Sequence, residues 1–329
     1  MAVKHSTALA GSVALLWAVL CIMPFLGSTS IHFGRAFAGV SPDKEIFLYA
    51  RLPRILLSAI AGGGLAVAGG LFQALVRDAL ATPFTLGISS GSALGAVMAI
   101  CFGWSAATSF PVVWVAAFAG ASVTVVLVMW LAAVGRRMSS FTLLLSGVTI
   151  NSICLALILF LHYLANFGQS FAIVRWLVGG IDTVEYSTLA WLAVVIAPAV
   201  IYTCLRGRDW NLLSVGEDWA AARGISVSRL ILTGYLLGSL ITGSVTALTG
   251  PIGFVGLIVP HALRTRLGAD HRILLPCSFF AGAAFLAICD TIARIVIAPT
   301  EVPVGVITAL IGGPFFIWLL RSKRKSLWL

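Results

Sequence analysis

The chain has 329 residues, 60% of them hydrophobic and 10% charged, and its 21 Lys+Arg against 11 Asp+Glu leave a net charge of +10. Soluble domains carry roughly 25% charged residues, so this composition excludes an ordinary soluble enzyme. The cations sit between apolar runs and build no solvated basic face of the kind nucleic-acid binding needs. Cys21, Cys101, Cys154, Cys204, Cys277 and Cys289 are scattered without CxxC or CxxH spacing, a pattern that supports neither a disulfide framework nor a zinc site.

In chain order, Lys4 and His5 precede an apolar run over 6–26. That run ends in Gly27-Ser28-Thr29-Ser30 and so also resembles a signal peptide, but it exceeds the usual 7–15-residue core and everything after it is membrane-like, so it is read as a retained first span. Arg51-Leu52-Pro53-Arg54 opens the second apolar segment, 55–76, with Pro53 suited to a first helical turn. Two cations at that place oppose the helix dipole and the positive-inside bias, which leaves headgroup anchoring or docking of an acidic partner from outside. Gly62, Gly63, Gly64, Ala66, Ala68, Gly69 and Gly70 give this segment a small-residue face, and Gly91-x-x-x-Gly95 does the same for the third, 84–104.

Further segments follow at 111–135, 141–164 and 187–205. The polar stretch 207–229 then reads as a short cytoplasmic helix. Ser214 and Glu217 have capping-box spacing, Arg223 suits the helix C-terminus, and Gly224 suits a left-handed cap. After 230–249 comes an apolar piece at 252–263, too short to cross as a regular helix and bounded by Gly250-Pro251 and Pro260-His261. Segments 273–297 and 302–320 close the chain. Asp290 and Arg294 are four apart on the first of these and can pair on one face, and intramembrane charge is a functional lead. His32, His162 and Tyr163 lie near outer segment ends, where interfacial packing competes with contact to a metal complex.

Nine full-length segments plus the short one make ten crossings. Lys4 at one end and Arg321, Lys323, Arg324 and Lys325 at the other put both ends in the cytoplasm, which requires an even number. The ten-crossing arrangement assigns 15 cations to the cytoplasmic side and six to the outside. The short element is then a half-length helix supported by protein, because irregular backbone at membrane depth must be buried or line a cavity.

No phosphate-binding loop, HExxH or plausible nucleophile elbow is present, so the chain has no means of its own to hydrolyse ATP and no catalytic site is expected. A file of buried carboxylates of the sort an ion-driven carrier uses is also missing. An ion-coupled secondary carrier acting alone remains the alternative to a permease driven by a partner.

Arg51-Leu52-Pro53-Arg54, Ala61–Gly70, Gln73-Ala74-Leu75, Leu80-Ala81-Thr82-Pro83, Leu86–Gly91, Leu145-Ser146-Gly147, Trp176–Gly180, Gly216-Glu217 through Arg223-Gly224-Ile225, Gly250–His261 and Glu301–Gly305 occur in this order. Together they resemble the FecCD-type permeases of bacterial ABC importers for iron-siderophores, haem and cobalamin, from about residue 46 onward. The resemblance implies an all-α polytopic fold of the type II importer permease kind, with ten transmembrane helices in one domain over 1–329. It implies a homodimer, or a pair with a close paralogue, in the bacterial inner membrane with a path along the dimer interface. Two cytoplasmic ATPase subunits and a periplasmic substrate-binding protein would be its partners, with no cofactor and no metal site in the chain. By position, Ser214, Gly216, Glu217, Arg223 and Gly224 would belong to the coupling helix, and Arg51, Arg54 and Arg294 to the rim that meets glutamates of the binding protein. Leu80 and Ser140 would lie near the cytoplasmic gate. Asp78-Ala79 stands where family members often carry Asn-Pro, so the gate's detailed geometry does not carry over.

Overall fold

Backbone amides in hydrocarbon have no water to bond, so an apolar chain of this composition must satisfy them within helices. A computed structural model describes residues 2–27, 29, 32, 34–35, 38–104, 112–133 and 139–322. Within them the chain folds as thirteen α-helices of six or more residues: α1 (Ala2–Ile22), α2 (Leu52–Val76), α3 (Ile88–Cys101), α4 (Val112–Ala132), α5 (Ser140–Leu164), α6 (Phe167–Val178), α7 (Tyr186–Leu205), α8 (Gly207–Val215), α9 (Glu217–Ala222), α10 (Val227–Thr249), α11 (Val255–Leu267), α12 (His271–Ile295) and α13 (Val304–Ser322). Among the described residues there is no strand. Lys323, Arg324 and Lys325, used above to orient the chain, lie outside the described residues, as do Arg136 and Arg137, two of the 15 cations assigned to the cytoplasmic side.

Among the described residues seven helices are long and apolar enough to cross a bilayer, and 88–101 and 304–318 are shorter apolar helices. The expectation of nine full-length segments is therefore corrected at the third and last. Residues 84–87 form a turn instead of helix, and Gly87, at φ +81°, lets the chain enter α3 abruptly. The second segment differs the other way. Helix begins at Asp43 and passes through a π-helical stretch, Ile46–Arg51, before α2. Proline cannot donate to the preceding turn and its ring crowds the carbonyl four residues back, and the wider π turn, a known device inside helices, leads directly into Leu52-Pro53. Arg51 and Arg54 thus do not crowd a free helix N-terminus.

The small-residue face acts as the packing hub. Gly62 to Leu75 on α2 is buried without interruption, with α10, α11 and α12 packed around it. Gly69 lies against the carbonyl of Gly256 so closely that a Cβ would overlap it, and only glycine allows two backbones to meet at that distance. Phe72 and Tyr235 fill the space toward α10, with ring centroids 6.3 Å apart.

Helix α6 was not anticipated as a separate element. Asn166 caps it, accepting from Gln169 N–H at 2.9 Å while the Gln169 side chain accepts from Asn166 N–H at 3.0 Å. This reciprocal pair is an N-x-x-Q variant of the capping box.

Candidate functional site

Three assemblies gather the residues that the sequence singles out. The first is at the outer ends of α2 and α12. Asp290 is fully buried between two arginines. Arg54 reaches it at 3.0 Å and Arg294 at 3.3 Å, and Arg54 also pairs with Glu301 at 2.7 Å. Arg51 is only 5% exposed and turns toward the chain leaving α1, donating to the carbonyls of Pro24 at 3.2 Å and Phe25 at 3.1 Å and also to Thr29. Arg294, also 5% exposed, donates to Leu26 O at 3.4 Å and Thr291 Oγ1 at 3.2 Å. The expected Asp290–Arg294 pair is present, enlarged by Arg54 and Glu301, which are distant in sequence. Arg51 and Arg294, expected on an exposed rim, are instead satisfied internally. Glu301, 46% exposed, is the member that faces outward. Nearby, Arg175 pairs with Asp182 at 3.4 Å on the surface.

The second assembly is the broken backbone over 249–256. Gly250 (φ +65°) and Phe254 (φ +68°) both take left-handed conformations, so the chain leaves α10, runs irregularly and re-enters helix at Val255. Protein donors meet carbonyls that the break leaves without a helical partner. Gly180 N–H donates to Thr249 O at 2.8 Å, and Gln73 Nε2 on α2 donates to Gly256 O at 3.2 Å. At Gly250 a Cβ would overlap the Trp176 carbonyl, and at Gly305 one would overlap that of Val178. The signature blocks around 176–180, 250–261 and 301–305, far apart in sequence, meet here. The expected protein-supported short helix is present as α11, and it extends to Leu267.

The third assembly lies at the ends of α2 and α5 opposite the arginine cluster. Ser214 and Glu217 do not form a capping box. Gly216 is extended and splits the segment into α8 and α9, and Ser214 Oγ donates to Asn211 O at 2.8 Å. Glu217 turns away from its own helix. Its Oε1 accepts from Ser140 N–H at 3.1 Å and from Arg77 at 3.2 Å, while Ser140 Oγ donates to Leu75 O at 2.6 Å. A candidate coupling residue therefore touches a candidate gate residue and the last turn of α2. Leu80 is 48% exposed, and its N–H donates to Asp78 Oδ1 at 2.9 Å, so Asp78 organises the turn as an Asx residue does. Arg223 is exposed, with no ion pair among the described residues, and Gly224 takes the expected left-handed cap at φ +82°.

Helix α8 is fixed more firmly than α9. Trp210 is fully buried and donates to Thr203 O at 2.9 Å. Asn211 Nδ2 donates to Asp270 at 2.8 Å, and its Oδ1 accepts from His271 N–H at 2.8 Å. Arg272, and then Asn211, hold the Asp270 carboxyl well below the usual carboxylate range, against the opposing effect of burial. Sequence reading missed the roles of Trp210 and Asn211, although an indole in the polar stretch was a visible signal.

Among the described residues, thirteen helices around a glycine-lined hub, with broken backbone sealed by protein, make an all-helical bundle with several helices able to cross a membrane. The model of the FecCD transport family matches residues 15–322, and the chain belongs to that family. It is 36% identical to the hemin transport system permease protein HmuU of Yersinia pestis, over 92% of this chain and 91% of that one. It is 35% identical to the vitamin B12 import system permease protein BtuC of Shigella boydii serotype 18, over 95% and 94%. A solved inward-facing structure, assigned by its description to the metal-chelate type of ABC transporter, superposes with a TM-score of 0.84 at 30% identity, covering 96% of this chain and 99% of that one.

Proposed function

We propose that the chain is the permease subunit of an ABC importer that carries a metal chelate (haem, a corrinoid or a ferric siderophore) inward across the bacterial inner membrane. Two copies, or one with a close paralogue, would enclose the path, each acting as a single permease domain. Seven long helices, the two shorter apolar ones and α11 would make ten crossings, with both termini cytoplasmic. The uncovered face of α5, where Thr149 and Ser152 stand exposed among large apolar side chains, would line the path.

The observation that carries the coupling part of this reading is the Glu217 bridge. Two ATPase subunits would bind from the cytoplasm over Ser214–Gly224, with the unpaired Arg223 and the exposed Trp219 and Val215 as the contact surface. Movement of α9 would then reach α2 and α5 through Arg77, Leu75 and Ser140, and so reach a gate formed by Leu80 and Ser140. Both contacts at Glu217 are weak: a partly exposed ion pair contributes about 0–1 kcal/mol and a hydrogen bond about 0.5–1.5 kcal/mol. Such contacts suit a joint that is remade in each cycle.

On the outer side, a periplasmic binding protein would present carboxylates to Arg51, Arg54 and Arg294. Arg54 is the accessible end through its pair with Glu301, and the other two would exchange their internal carbonyl and carboxylate partners on docking. The test is reconstitution with the ATPase and binding protein. Arg223→Glu should leave the complex assembled while uptake per ATP hydrolysed drops at least several-fold. Uptake per ATP at the wild-type level would remove the coupling role from this segment.

A further inference from the structure

One cavity on the chain lies away from all three assemblies. It is an open groove of about 440 Å³ lined by Ile60 of α2, Ala193, Ile196, Val200 and Cys204 of α7, and Phe279 of α12, among other apolar side chains. Along α7 it extends from Ala193 to Leu205, roughly 18 Å at 1.5 Å rise per residue, comparable to one leaflet's depth of hydrocarbon. A groove open to the side of a membrane-spanning bundle, without a polar wall, takes an apolar chain and not the cargo.

One end of this groove is cationic. It finishes at Leu205, and Arg206 and Arg208 follow immediately. Gly207 between them packs on the start of α12 so closely that a Cβ there would be 2.8 Å from Arg272 N and 3.1 Å from its Cγ. Arg206 and Arg208 from the junction of α7 and α8, and Arg272 from the start of α12, therefore flank one packed contact at this end of the groove. Two have acidic neighbours: Arg206 pairs with Asp209 at 2.8 Å and Arg272 with Asp270 at 2.6 Å. Arg208 is exposed, with no side-chain partner among the described residues. Cationic pockets between transmembrane helices on the cytoplasmic side favour anionic lipid headgroups, and each such cation near the surface contributes to holding one.

We propose that this groove is a site for one anionic phospholipid of the cytoplasmic leaflet, with an acyl chain between α7 and α12 and the phosphate at Arg206, Arg208 and Arg272. A lipid seated there would also reach α8 through the exposed Arg208, and so adjoin the segment that sits on the cytoplasmic surface.

The test compares spin-labelled phosphatidylglycerol with spin-labelled phosphatidylcholine for association with the full-length chain reconstituted in phosphatidylcholine vesicles. The wild-type chain should favour phosphatidylglycerol several-fold. That preference should be lost both in the Arg206→Gln/Arg208→Gln double variant and in Ala197→Phe, which fills the groove from an exposed position and leaves the core intact. Arg208→Lys should retain it. Equal association of the two lipids by the wild-type chain would overturn the proposal, as it would if a second copy covered the groove. Preference surviving Ala197→Phe would reduce the site to headgroup attraction alone, and its abolition by inorganic phosphate would reduce it to a simple anion site. Either result also overturns the seated lipid.

Discussion

A single buried carboxylate decides the electrostatics of the outer end. Asp290 answers two guanidinium groups with no exposure to solvent, and removing one partner from a buried ion pair costs about 3–5 kcal/mol because the remaining charges lose their counterion. Asp290→Asn should therefore lower the thermal midpoint in detergent substantially, whereas Asp182→Asn, in an exposed pair with Arg175, should leave it nearly unchanged. Equal effects of the two would contradict this assignment. Asp270 makes a pH-dependent contribution. Its folded pKa lies below the ordinary value of 3.8, so its stabilisation is complete above that value and is lost as pH falls below it. Thermal midpoints measured from pH 6 down to pH 3 should fall more steeply for the wild-type chain than for Asp270→Asn; parallel curves would mean the carboxylate is not held by Arg272 and Asn211 as described.

Among the elements, α8 and α9 divide the work between anchor and joint. Trp210 and Asn211 fasten α8 to α7 and α12, while α9 is held to α2 and α5 through Glu217. Trp210→Ala would leave a cavity costing about 3–5 kcal/mol, so it should reduce assembled protein on gel filtration. Glu217→Gln should assemble normally yet uncouple ATP hydrolysis from uptake; a coupled Glu217→Gln permease would mean that α9 acts by another route. Much of this was legible in advance. Apolar run lengths located the long helices, and the breakers Gly250-Pro251 marked the interrupted backbone. The capping-box reading of Ser214 and Glu217 failed because spacing alone does not say which backbone amide a carboxylate finds, and here the N–H of Ser140, 77 residues away, competes with the local one. The exposed reading of Arg51 and Arg294 failed for a similar reason. Both also donate to carbonyls in 24–29, and a carbonyl leaves no mark in a sequence.

For the whole molecule, glycine contacts set how far the bundle can tolerate change. Because Gly69 meets Gly256 backbone to backbone, Gly69→Val should force α2 and α11 apart and, as with other overpacked cores, cost about 1–3 kcal/mol or more. A thermal midpoint equal to wild type would show that the two helices are not in contact. The same rigidity would let a force entering at Glu217 act on α2 as a unit, and α2 extends through the hub to Arg54 and the outer cluster. The two ends of the proposed transport cycle would thus be joined by one buried helix, which the groove beside α7 and α12 touches at Ile60.

The most direct test of the central claim is uptake of haem, cobalamin and a ferric siderophore, each supplied with its binding protein, by proteoliposomes containing the permease and its ATPase. The account predicts accumulation of one of the three only when ATP, the ATPase and the binding protein are all present. Accumulation by the permease alone, driven by an ion gradient without ATP, would contradict it.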